Sequence, residues 1–204
     1  MLEKILSLDT TIFYAFNRHR CEILDWGFSI ISSHITIGII ITIIVSYVMY
    51  SKHFKFWWLY IVIIALCFLL ADRISVLCFK DIFCRLRPSH ALSDSFTVKL
   101  KYYSSLIYDN KGGLYGFVSS HAANTFSIIT SMILIMRHQK TVIFNILLIL
   151  WGILTGISRI YCGYHYPGDV LCGALLGIIL GIIVYLLYDK ILKYLEKKTE
   201  RKKV

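Results

Sequence analysis

The chain has 204 residues, enough for one domain. Its 57% apolar and 15% aromatic content and mean hydropathy of +0.68 exclude an ordinary water-soluble globule of that size. A net charge of +10 would raise nucleic acid as a partner in a soluble protein, but seven Lys and Arg residues, against three acids, lie in the tail 189–204. A basic tail after an apolar run marks a cytoplasmic end, so the bilayer is the expected partner and nucleic acid is not.

Residues 1–22 come first in chain order. Leu2, Ile5, Leu8, Ile12, Phe13 and Phe16 recur near helical spacing among Glu3, Lys4, Asp9 and Arg18. This predicts an amphipathic helix lying in the membrane interface. Its acids, and the lack of a small-residue cleavage site after an apolar core, argue against a signal peptide.

Five apolar stretches come next, predicting transmembrane helices over 26–50, 56–79, 119–137, 141–159 and 169–188, each near the roughly 20 residues that a span requires. The only prolines, Pro88 and Pro167, interrupt none of them. The fold class is therefore all-α: an integral-membrane helical bundle of about five spans plus the interfacial N-terminal helix. Residues 89–118 form a long connection in which Phe96, Tyr102, Tyr103, Tyr108, Tyr115 and Phe117 alternate with Lys99, Lys101 and Lys111. Such a mixture suits a head-group layer and could flank a lipid's entry path. In the last span, Gly173, Gly177 and Gly181 are four apart and predict a close helix-packing face.

Five spans put 51–55, 137–140 and the tail on one side, with eleven Lys and Arg residues. The other side, with 80–118, 159–169 and the N-terminal segment, carries ten, of which Lys80, Arg87 and Arg159 serve the chemistry below. The positive-inside rule then makes 189–204 cytoplasmic and 89–118 periplasmic.

Three short patches at span ends, all on the outer face, gather the polar residues that phosphoryl transfer needs. They read Lys80-Asp-Ile-Phe-Cys-Arg-Leu-Arg87-Pro88, then Val118-Ser119-Ser120-His121, then Ser158-Arg159-Ile-Tyr-Cys-Gly-Tyr-His165-Tyr-Pro-Gly-Asp169. A phosphate monoester is dianionic near neutral pH, so catalysis rests on positioning and on cations that offset that charge. Arginines offer bidentate forks to phosphate oxygens, and lysine a compact point charge.

This order and spacing over residues 56 to 188 resembles the type 2 phosphatidic acid phosphatase superfamily, whose members include bacterial lipid phosphatases. The first and third motifs match at each defining position. The middle one departs: the family's usual Pro-Ser-Gly-His here reads Val-Ser-Ser-His, though Ser120 still supplies a backbone N–H. The resemblance implies that Lys80, Arg87, Ser119, Ser120 and Arg159 cradle the phosphate. It further implies that His165 attacks phosphorus to form a phosphohistidine, that His121 protonates the leaving oxygen, and that Asp169 orients His165. The four-residue step from His165 to Asp169 puts both on one face if a helix starts near Pro167.

No metal or cofactor is expected. The leading expectation is hydrolysis of a lipid phosphate or diphosphate at the periplasmic face of a bacterial cytoplasmic membrane, with undecaprenyl diphosphate and the lipid A 4′-phosphate as first substrates. A lipid phosphotransferase using the same site, or a non-catalytic lipid-binding or transport protein, remains open.

Other polar residues read more plainly. Arg85 and Lys111 read as interfacial anchors, and His34 as a packing histidine. His90, just after Arg87-Pro88, stays ambiguous. Asp72 and Arg73 would be costly in hydrocarbon and read as a buried network, Arg73 lying two turns below Lys80 on nearly the same stripe. Cys84 and Cys162 fall in two motifs on one face, where an oxidising compartment could link them, but packing thiols are the expectation.

Overall fold

A computed structural model describes residues 2–18, 21–31, 33–52, 56–92, 113–137 and 141–201, and among these residues the regular structure is helical, with one isolated bridge, Leu86 to Tyr115. In order they are α1 (Leu2–Arg18), α2 (Glu22–Ile31), α3 (His34–Lys52), α4 (Trp58–Ser75), a π-helical turn (Val76–Lys80), α5 (Asp81–Phe83), α6 (Pro88–Ala91), α7 (Ser120–Ile135), α8 (Val142–Tyr161) and α9 (Pro167–Glu200). Most of the aromatic and lysine residues of the long connection, Lys111 among them, lie outside the described residues, as does the His34 side chain.

The all-helical membrane bundle is as expected. Among the described residues, three helices are long and apolar enough to cross a bilayer, Trp58–Phe83, Val142–Tyr161 and Pro167–Glu200, and Ser120–Ile135 is a shorter apolar helix. A fourth crossing exists if Glu22–Ile31 and Ile35–Tyr47, bent by 50°, count together. The bend has a local cause: Ser33 Oγ accepts the Thr36 N–H at 3.1 Å while the Thr36 hydroxyl donates back to the Ile30 carbonyl at 2.6 Å. These side-chain bonds replace rungs of the helix ladder and restart the helix at residue 34.

Helix α7 has 16 residues, about 24 Å long, and sits at the centre of the bundle against α4, α8 and α9. Ten of its residues are buried. Its contact with α9 is close, because Gly173, Gly177 and Gly181 bring the α9 backbone onto the carbonyls of Ser119, Ala123 and Ser127. A Cβ at Gly173 would sit 2.5 Å from the Ser119 oxygen, so the glycine spacing is a packing face as the sequence predicts. Below it, Ile63, Cys67, Ile128, Met132 and Val184 form the main core. The outer faces of α8 and α9 expose Ile143, Leu147, Leu150, Leu171, Leu175 and Ile183, as helices with lipid for solvent do.

Helix α1 buries Asp9, Phe13 and Asn17, one stripe at four-residue intervals, against the bundle and leaves Ile5, Leu8 and Ile12 exposed. Asn17 Nδ2 donates to the Ile160 carbonyl at 3.2 Å, tying α1 to the end of α8. Helix α9 does not stop at residue 188 but runs unbroken to Glu200, with Lys193 paired to Asp189 at 2.6 Å.

Candidate active site

The first motif is shaped by an irregularity. The π-helical turn Val76–Lys80 adds a residue to the end of α4, which rotates the residues beyond it relative to a regular α-helix. Lys80 thereby turns towards α7, where its Nζ donates to Ser120 Oγ at 2.6 Å. Ser75 donates to the Asp72 carbonyl at 2.8 Å and so accepts from Ser120 at 2.6 Å, which gives the chain Lys80, Ser120, Ser75 a single direction. The same rotation overturns the expected partnership of Arg73 with Lys80: Arg73 is exposed, and only Asp72 of that pair lines the site.

Cys84 takes the left-handed region, with φ 47°, and ends α5. The chain then runs extended beside 114–116, with Arg87 N donating to the Leu114 carbonyl at 3.1 Å and Gly116 N to the Arg85 carbonyl at 2.7 Å. Arg87 Nε donates to the Tyr115 carbonyl at 3.1 Å, which fixes its guanidinium. Gly116 is needed for this approach: a Cβ there would meet Asp169 Oδ2 at 3.1 Å and Arg87 Cγ at 3.2 Å.

Lys80, Arg87, Ser120 and His121 line one cavity of about 250 Å³. Asp72, Asn124 and Thr125 line it further along α4 and α7, and Ile37, Phe68, Ile128 and Trp151 give it an apolar wall. Phe68 also borders an open apolar groove between α3 and α4, lined by Ile41, Val45, Ile61, Ile64 and Leu69. Ser119, by contrast, caps α7: its Oγ accepts from Ala122 N at 3.4 Å and its own N–H donates to the Asp169 carbonyl at 2.9 Å, leaving it fully buried and away from the cavity lining.

The third motif does not line the cavity, but Arg159 and His165 lie near enough to Arg87 to feel its charge. Arg159 is buried under the Tyr164 ring, 4.0 Å from its centroid. His165 is 1% exposed, and its Nδ1 lies 3.7 Å from Asp169 Oδ2, facing it but beyond hydrogen-bond length. Burial, followed by the positive charges of Arg87, Arg159 and Lys80, holds the His165 ring well below its ordinary pKa, so it is a neutral base. Burial and the neighbouring Arg159 lower Arg87 as well. Such crowding of cations is costly without an anion, and a phosphoryl group would relieve it.

Asp169 accepts from Tyr166 N at 3.0 Å at the start of α9. Its second oxygen accepts from Arg85 Nη1 at 2.7 Å, and Arg85 Nη2 reaches Asp9 Oδ2 at 2.6 Å. Arg85 is therefore not a bare interfacial anchor; it is a partly buried bridge, stacked 4.2 Å over Tyr166. Asp9 also accepts from Gly168 N at 2.6 Å. Sequence reasoning missed Asp9, Arg85 and Gly116. An acid on an apolar helix and an arginine inside a motif were the available signals. Cys84 and Cys162 are both free thiols.

The chain is 29% identical to a lipid A 4′-phosphatase of Bacteroides thetaiotaomicron over 199 residues, 98% of this chain and 85% of that one. It is 31% identical to the corresponding enzyme of Porphyromonas gingivalis, over 92% and 75% of the two chains. In fold it is similar to the crystal structure of a transmembrane phosphatidylglycerolphosphate phosphatase from Bacillus subtilis, at a TM-score of 0.64 and 20% identity, over 92% of this chain and 88% of that one. The family model for the PAP2 superfamily matches residues 61–193, from α4 through α9 and across all three motifs, and the chain belongs to that superfamily.

Proposed function

We propose that this membrane lipid phosphatase cleaves a phosphate monoester from a glycolipid of the lipid A type, through a phosphohistidine on His165. The observation that carries the reading is the single cavity on which Lys80, Arg87, Ser120 and His121 converge, cationic at one end and apolar along its wall. An amphiphile matches both ends, and the groove beyond Phe68 has room for a hydrocarbon chain. The lipid A class rests on the two relatives aligned over nearly the whole chain.

In this reading the phosphate displaces the Lys80 ammonium from Ser120 and accepts from Lys80, Arg87 and Arg159, with Ser120 contributing from the start of α7, while Ser119 acts only as the buried cap of that helix. The N-terminus of α7 adds a favourable dipole. The neutral His165 ring attacks phosphorus, forming a P–N bond as the P–O bond to the lipid breaks. His121 gives its proton to the leaving oxygen, and Asp169 offsets the imidazolium charge that develops on His165. Water, deprotonated by His121, then attacks phosphorus and releases phosphate and the free His165. The site faces the periplasm of a bacterial inner membrane, and the basic end of α9 is cytoplasmic.

The test is phosphate release by purified protein in detergent, offered lipid A, undecaprenyl diphosphate, phosphatidic acid and phosphatidylglycerophosphate in parallel. Lipid A is expected to lose its 4′-phosphate fastest, and His165→Ala to abolish release. Undiminished turnover by His165→Ala would remove the nucleophile. Preference for undecaprenyl diphosphate would overturn the substrate class.

A further inference from the structure

Asp169 faces His165, yet its shortest side-chain contact is with Arg85. The two terminal nitrogens of that guanidinium are divided between two carboxylates, Nη1 on Asp169 Oδ1 at 2.7 Å and Nη2 on Asp9 Oδ2 at 2.6 Å. Asp169 is fully buried and Asp9 is 8% exposed. Two buried carboxylates this near one another need a cation between them, and a planar fork spans both where an ammonium cannot. The Tyr166 ring beneath the guanidinium, 4.2 Å away, sets its plane.

Asp9 closes the arrangement. Its other oxygen accepts from Gly168 N at 2.6 Å, so it is bonded both to Arg85 and to the first turn of the helix that carries Asp169. A Cβ at Gly168 would come within 3.0 Å of the Asp9 carboxylate, so this approach depends on glycine. Asp9 belongs to α1, far outside the three motifs, and α1 is anchored independently by Asn17 on the Ile160 carbonyl.

We infer that Asp9 and Arg85 are positioning residues for the phosphatase reaction, holding Asp169 in the rotamer that turns Oδ2 towards His165, and that the N-terminal helix is thereby part of the active site. Neither touches the substrate. With Oδ1 held by Arg85 and Oδ2 held by Tyr166 N at 3.0 Å, the carboxylate has no rotational freedom. Oδ2 keeps a lone pair for His165. Without Arg85, only the Tyr166 N–H resists rotation of the carboxylate away from the ring. The inference rests on the proposed roles of His165 and Asp169.

The experiment compares Asp9→Asn, Arg85→Ala, Arg85→Lys, the double variant Asp9→Asn/Arg85→Ala and Asp169→Asn in detergent. It reads kcat and KM for phosphate release from lipid A, and monodispersity by gel filtration. Hydrogen-bonded partners that orient metal-ligating side chains are typically worth about 10–100-fold in activity, and the same scale is taken for a partner that orients Asp169. Arg85→Ala and Asp9→Asn are expected to lower kcat by about that range with KM changed less than about threefold. The double variant should be no slower than Arg85→Ala, because the two act as one unit. Arg85→Lys should remain impaired. Millimolar guanidinium should restore part of the kcat of Arg85→Ala, a rescue that a merely structural role would not give. If Arg85→Ala does not fold, Asp9→Asn carries the same kcat and KM reading. Loss of activity in Asp169→Asn beside unchanged kcat in Asp9→Asn and Arg85→Ala would overturn the inference alone. Full activity in Asp169→Asn would instead defeat the reading beneath it.

Discussion

Lys80 Nζ lies 2.6 Å from Ser120 Oγ, a contact across 40 residues that exists because the end of α4 is π-helical. In a regular helix Lys80 would point elsewhere, since one residue corresponds to about 100° of rotation. Lys80→Met is expected to lower kcat/KM by about 100- to 1000-fold, the scale of losing one charge-stabilising donor. Deleting Leu77 removes the extra residue and lets a regular helix carry Lys80 in its present direction, so kcat/KM should fall far less than in Lys80→Met. A loss as deep as that of Lys80→Met would show that the π-helical turn does more than aim Lys80.

The neutral state of His165 has a signed consequence for pH. Its ring is held well below 6.5 when folded, so the unfolded chain binds the extra proton first as pH falls. The contribution to stability is therefore complete above about pH 6.5 and is lost as pH drops towards the folded value, with a slope of at most about 1.4 kcal/mol per pH unit. Thermal unfolding between pH 7 and 5 should show a steeper loss for the wild type than for His165→Gln. Parallel curves would place the ring outside that field.

Gly116→Ala tests the approach of 114–116 to Arg87 and Asp169. Its new methyl would press on Asp169 Oδ2 and Arg87 Cγ at 3.1 and 3.2 Å. A cost of about 1–3 kcal/mol is expected from overpacking, with kcat falling more than KM changes.

Gly177→Ala and Gly27→Ala form a contrasting pair. At Gly177 a Cβ meets the Ala123 carbonyl and the Ser127 amide, which belong to backbone and cannot swing aside. A loss of about 1–3 kcal/mol in the unfolding free energy is expected. At Gly27 nothing lies within 4 Å, so alanine should be neutral or gain up to about 1 kcal/mol of helix propensity.

Much of this fold was legible because lipid as a solvent forces long apolar helices and leaves few alternatives. The glycines of α9 declared their packing face through spacing alone, and the three motifs declared themselves through residue type. What the sequence hid was local hydrogen bonding. Ser33 and Thr36 break an apolar run that hydropathy reads as continuous. The π-helical turn defeats the seven-residue arithmetic that put Arg73 beside Lys80. Arg85 and Asp9 were hidden for a different reason: their meaning lies in a pairing across 76 residues, and neither has a periodic signature.

Helix α9, 34 residues without a break, is about 51 Å from end to end, while the hydrocarbon layer is about 30 Å thick. With the Pro167 end pinned beside Asp169, roughly 20 Å of stiff rod must stand clear of the far boundary of the oil. Lys190, Lys193, Lys197 and Arg201 fall at steps of three and four residues along one side of that rod. Charge that a limp tail would spread over a hemisphere is thus drawn largely into one line, with Lys198 off to its side, and an anionic surface would meet that line edge on.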